Sequence, residues 1–69
     1  MISNREQVTQ MILSAKVRKD LKWTQVADAV GQSKEWTTAA CLGQMTFTRD
    51  QAAVVGELFD LSDEAIAWL

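Results

Sequence analysis

Thr24-Gln25-Val26-Ala27-Asp28-Ala29-Val30-Gly31-Gln32-Ser33-Lys34-Glu35-Trp36-Thr37-Thr38-Ala39-Ala40-Cys41-Leu42-Gly43 reads as two short helices joined by a tight turn. Ala27 is small enough to let the helices approach. Gly31, four residues on, supplies the left-handed backbone that ends the first of them. Ser33 places a hydroxyl where the next helix needs its N-cap. The second helix, Lys34 to Leu42, stops at Gly43. This spacing predicts a helix-turn-helix unit, which serves DNA readers and purely structural domains alike.

Outward from that unit the chain reads as helices throughout. It has no proline, three glycines and no polar–apolar alternation of the kind a strand shows. A first helix is predicted from about Asn4 to Lys19, opened by a Ser3/Glu6 capping box. Its buried stripe is Val8, Met11, Ile12 and Ala15, and Lys16, Arg18 and Lys19 offset the dipole in its last turn. Asp20–Lys22 connects it to the second helix, with Leu21 inward; either Thr24 caps that helix or Lys22 precedes an opening at Trp23. Val26, Ala27 and Val30 face the core. The third helix is expected to be the best-buried segment, through Trp36, Ala39, Ala40, Cys41 and Leu42. A second capping box, Thr48/Gln51, opens the fourth helix behind Phe47. Ala52, Val55, Leu58 and Phe59 make its inner face, and Gly56 within it marks a close helix contact. Ser62 caps a fifth helix, Asp63 to Leu69, with Leu61 and Ile66 placed as a hydrophobic staple. The expected fold is all-α, a compact five-helix bundle of the repressor-like, helix-turn-helix type, forming one domain over residues 1–69.

Length and charge narrow the function. A 69-residue chain buries only about 60% of its unfolded surface and gains from a partner. Net charge is −2, against a surface built for nucleic acid. Lys16, Arg18, Lys19 and Lys22 cluster four of the seven bases, which reads as a solvated helix end rather than a binding patch. Histidine is absent and Cys41 is the lone cysteine, so neither a disulfide framework nor a thiolate zinc site is expected. No apolar run approaches a membrane span, and Met1 to Arg5 is too polar for a secretion signal, which makes a reducing cytoplasm the default compartment.

Candidate chemistry is sparse. Arg5, Arg18 and Arg49 are read as solvated charges, and Ser14, Ser33 and Ser62 lack a histidine to activate them. Cys41 among apolar neighbours is read as an inert core thiol. As a DNA reader the third helix offers Gln32, Lys34, Glu35, Thr37 and Thr38, one base cancelled by one acid. Thr37 also stands where readers carry a branched apolar residue. Three indoles, Trp23, Trp36 and Trp68, cannot all be buried in so small a core, so Trp36 or Trp68 is expected to meet a partner domain or subunit. The ending on Trp68-Leu69 reads as a domain severed from something larger, with a dimer contact as the alternative.

The order of elements carries a resemblance. Leu21-Lys22-Trp23-x-x-Val26-Ala27-x-x-x-Gly31, then Thr38-Ala39-Ala40-Cys41-Leu42-Gly43-Gln44, then Leu61, resembles the N-terminal helical domain of cyanase (cyanate hydratase, also called cyanate lyase) over essentially all 69 residues. Lys16, Lys19 and Leu21 also stand where the family carries its Lys-x-x-Lys/Asp-Leu run. Lys22 and Trp23 depart from the small hydroxyl residue and phenylalanine usual there. The resemblance implies an enzyme that decomposes cyanate, with bicarbonate, to ammonia and carbon dioxide through carbamate, without metal or organic cofactor. It implies a second, C-terminal domain, absent from this chain, that intertwines in a dimer, with five dimers forming a decamer. The family's catalytic arginine, glutamate and serine lie in that second domain, so no catalytic, cofactor-binding or metal-ligating residue is assigned here. The expected role is assembly, through self-association and packing on the C-terminal domain. The alternative is a small repressor-type DNA-binding protein, and a third reading is a free-standing helical interaction domain.

Overall fold

The computed structural model describes residues 2–69; Met1, the start of the stretch judged too polar for a secretion signal, lies outside them. Five helices follow in order: α1 (Arg5–Arg18), α2 (Trp23–Val30), α3 (Lys34–Cys41), α4 (Arg49–Leu58) and α5 (Asp63–Ala67). No strand occurs among the described residues. The all-α, helix-turn-helix-containing bundle is the one the sequence predicts. Helix α2 packs on α3 and α4, and α4 on α5. One core gathers Val8, Ile12 and Ala15 of α1, Val26 of α2, Ala40 and Cys41 of α3, and Ala52, Val55 and Phe59 from α4 and its end.

Helix ends explain why the chain turns where it does. The hydroxyls of Ser33, Thr48 and Ser62 accept the amides of Trp36, Gln51 and Ala65, as expected of caps. Helix α1 is capped one residue later than predicted: Asn4 Oδ1 accepts the Gln7 amide at 2.9 Å, and the Ser3 amide donates to Gln7 Oε1 at 2.7 Å. Asparagine is as good an N-cap as serine, and Asn4 takes the position next to the first helical residue. Helix α2 opens at Trp23 behind Lys22. An ammonium cannot accept an amide, so only half a box forms, with Gln25 Oε1 taking the Lys22 N–H at 2.8 Å.

Gly31 ends α2 at φ 83°, where both its own amide and that of Gln32 return to the Ala27 carbonyl. Two helices use aspartate instead. Asp20 and Asp60 sit at φ 54° and 53°, a conformation that short polar side chains tolerate better than most. In both cases the next residue's amide (Leu21, Leu61) bonds back to the helix, at Lys16 and Gly56.

The core departs from the predicted stripes at four places. Met11 is exposed, and Thr9 is buried in its place. Leu42 lies outside, because α3 ends before it and the chain turns away. Leu69, expected at an exposed apolar ending, is tucked into the core while Trp68 stays outside, α5 having stopped at Ala67. Thr37, read as an exposed polar residue of the third helix, is fully buried and its hydroxyl has no partner. Its position on α3 is the core position that in readers holds a branched apolar side chain, and threonine has the shape of valine. Thr37→Val is therefore expected to raise stability by about 1 kcal/mol, since an unsatisfied buried hydroxyl gives way to a methyl. A urea midpoint shifted upward with unchanged slope is the measurement; a downward shift would show that the hydroxyl is satisfied.

Candidate functional site

The residues weighed for chemistry do not converge. Arg18 and Arg49 are exposed, at the end of α1 and the start of α4. Ser33 and Ser62 are occupied as caps, and Ser14 is exposed. A groove open to solvent runs between α1 and the α4–α5 turn, lined by Ser14, Arg18, Phe59 and Asp60 among others. Its single guanidinium, that of Arg18, is exposed, unlike the dry, converging donors that hold a small anion. A second open groove is bordered by Lys19 and Glu57. No group of three or more His, Cys, Asp or Glu side chains sits together among the described residues.

Arg5 is the exception to the reading of solvated charge. Its guanidinium is half-buried and donates through Nη1 to Thr9 Oγ1 at 2.7 Å, and through Nη2 to the carbonyls of Ala40 and Cys41 at 2.9 and 3.1 Å. Those carbonyls end α3, where the helix dipole is negative; the Ala40 carbonyl also takes the Gly43 amide at 3.1 Å, while that of Cys41 has only side-chain donors. Burial lowers the Arg5 pKa from its ordinary value, opposed by the neighbouring Cys41. The sequence holds a signal for this contact. A base in the first turn of a helix opposes that helix's own dipole, so Arg5 is better explained by a partner elsewhere.

Cys41 is buried, and burial pushes its thiol up to about 11, with Arg5 acting in the opposite direction. A thiol so placed is protonated at neutral pH and is a poor nucleophile, in keeping with an inert core residue.

Two of the four bases in the cluster, Lys16 and Lys19, engage their own chain, while Arg18 and Lys22 are exposed. Lys19 Nζ donates to the Leu58 carbonyl at 2.9 Å and pairs with Asp60 at 3.1 Å. Lys16 lies 5.2 Å from the centroid of the Trp23 ring. Helix α1 thus places one cation at the C-terminal end of α3 and another at that of α4. Of the five residues proposed for a DNA-reading helix, Thr37 is buried and the Thr38 hydroxyl donates to the Lys34 carbonyl at 2.7 Å. Gln32, Lys34 and Glu35 remain, with no excess of base.

Trp23 and Trp36 are half-buried, Trp36 standing edge-on to Phe47 at 5.7 Å, and Trp68 is exposed. Three indoles are thus not all buried within one chain, as the sequence predicts. No helix of the described residues is long and apolar enough to cross a membrane.

Taken together these features define a helix-turn-helix-containing helical domain in which Arg5 and Lys19 tie the ends of α3 and α4 to α1 and its C-cap. Residues 5–69 match the family described as cyanate hydratase, N-terminal, and the chain belongs to that family. It is similar to the cyanate hydratase of Polynucleobacter asymbioticus, 61% identical over 66 residues, which cover 96% of this chain and 45% of the relative. That of Methylibium petroleiphilum is 59% identical over 66 residues with the same coverage, and that of Ralstonia pickettii 58% over 65 residues, 94% of this chain and 44% of the relative. The chain therefore spans a little under half the length of these curated relatives.

Proposed function

We propose that these residues are the N-terminal assembly domain of a cyanate hydratase, an enzyme that decomposes cyanate with bicarbonate to ammonia and carbon dioxide. The observation that carries the division of labour is the engagement of Arg5. Cyanate and bicarbonate are small anions, and holding them calls for cationic donors converging in a dry pocket. The one half-buried guanidinium among the described residues is already bonded to Thr9, Ala40 and Cys41, while Arg18 and Arg49 lie in water. In this reading the catalytic arginine, glutamate and serine belong to a C-terminal domain, no metal or organic cofactor is used, and self-association into dimers and a decamer completes the enzyme. A cytoplasmic setting agrees with a free buried thiol and the absence of any second cysteine.

The test is ammonia release from cyanate plus bicarbonate. The 69-residue chain alone is expected to stay at the uncatalysed background. The same chain continued at Leu69 by the second half of the Polynucleobacter asymbioticus relative is expected to turn over. Enzyme-like turnover by the 69 residues alone would place the chemistry within this domain and overturn the reading.

A further inference from the structure

The chain's charges are unevenly spread along its length. From Trp36 to Thr48 there are thirteen residues without a single Asp, Glu, Lys or Arg, in a sequence that is 23% charged. Residues Leu42 to Thr46 of this stretch are all exposed, with Leu42 and Met45 at 41% and 46% of full exposure. A shorter charge-free stretch, Ala65 to Leu69, lies against it: the Phe47 amide donates to the Leu69 carbonyl at 3.4 Å. Beside Leu69 stands the exposed Trp68. Exposed methionine and tryptophan on a surface depleted of charge have the composition of an interface centre. Both open grooves, by contrast, are bordered by charged side chains.

The occupant follows from where the chain leaves the domain. The matched family is an N-terminal one, and more than half of each relative's length lies outside the matched part. Any segment continuing from Leu69 starts beside Phe47, at the end of the charge-free stretch. A segment leaving there reaches Leu42 and Met45 with little loop to close, so its effective concentration at this face is high. We infer that the surface formed by Leu42, Met45 and Trp68 is the seat of the C-terminal half of the same polypeptide. This inference rests on the proposed division into an assembly domain and a catalytic domain. It adds which side of the assembly domain carries the other.

The experiment uses the chain continued at Leu69 by the second half of the Polynucleobacter asymbioticus relative, with a photo-crosslinking residue replacing Met45. The control carries the same probe in place of Val17, an α1 residue that is 80% exposed. Position 45 is expected to crosslink to peptides of the second half in a band of monomer mass, with a yield about tenfold above position 17. Equal yields, or crosslinks only between chains, would overturn the assignment, the latter making the face a contact between copies. Should the chimera not fold, the intact relative with the probe at the residue aligned with Met45 gives the same decision. Ammonia release by the probed protein keeps the two claims apart. An active enzyme lacking the crosslink sinks only this surface, whereas activity of the 69 residues alone sinks the division beneath it.

Discussion

Arg5→Met is expected to lower folding stability by about 3 kcal/mol, because three charge-assisted hydrogen bonds disappear at once and the Cys41 carbonyl keeps only the long contact from Thr9. Methionine keeps the apolar stem beside Gly43 and Thr9, so the loss reports the guanidinium rather than packing. A domain of this size has roughly 3–10 kcal/mol in total, and the midpoint of thermal unfolding should fall by about 15 °C. Arg5→Lys should recover only about half, since an ammonium is a compact donor and cannot span Thr9 on α1 and two carbonyls of α3 together. Urea denaturation of both variants is the measurement. A loss under about 0.5 kcal/mol for Arg5→Met would show that the guanidinium is exchanged freely with water. A double-mutant cycle with Thr9→Val should reveal coupling, because the Thr9 hydroxyl accepts from Arg5 and lies 3.5 Å from the Cys41 carbonyl.

That latch marks the boundary of what was legible in the sequence. Helix existence, the turn at Gly31 and the caps at Ser33, Thr48 and Ser62 are local matters, decided by a few neighbouring residues, and they were readable. The Asn4 cap was missed because Ser3/Glu6 offered a competing local pattern one residue earlier. Arg5 lies 35 positions from Ala40, and nothing local to residues 3–9 names that partner. Only its unfavourable place at a helix N-terminus hinted that it had one. Thr37 was misread for a related reason. On a short helix of mixed composition the side chain's polarity pointed outward, while the packing of α2 on α3 required a valine-shaped residue inward. Leu69 was assigned to an exposed ending because its burial depends on the Phe47 segment, 22 residues earlier. As for the candidate site, residue types alone identified Cys41 as inert and Arg18 and Arg49 as solvated. The family match adds what these residues do not contain: a reaction to assign to the rest of a longer protein.

Gly56 supplies the second large effect, and its sign is the informative part. In an exposed helix interior, Gly→Ala stabilises by up to about 1 kcal/mol. Here a Cβ at position 56 would lie 2.5 Å from Cγ1 of Ile66, on the helix packed against α4. Relief requires either that Ile66 turn about χ1, which a β-branched side chain in a helix resists, or that α5 itself move. Gly56→Ala is therefore expected to destabilise by about 2 kcal/mol net of its helix preference. Because Ile66 follows the Ser62 cap and precedes Leu69, the displacement should also loosen the Phe47–Leu69 contact and with it the charge-free stretch. Ile66→Ala removes the obstructing atoms at some cost in core packing. In that background the same Gly56→Ala change should become neutral or favourable by up to about 1 kcal/mol, a coupling of about 2 kcal/mol or more between the two sites. Urea midpoints for the two single variants and the double variant complete the cycle. Stabilisation by Gly56→Ala in the unaltered protein would mean that α4 and α5 do not approach this closely. The glycine would then be a relic of sequence rather than the point on which α5 is seated.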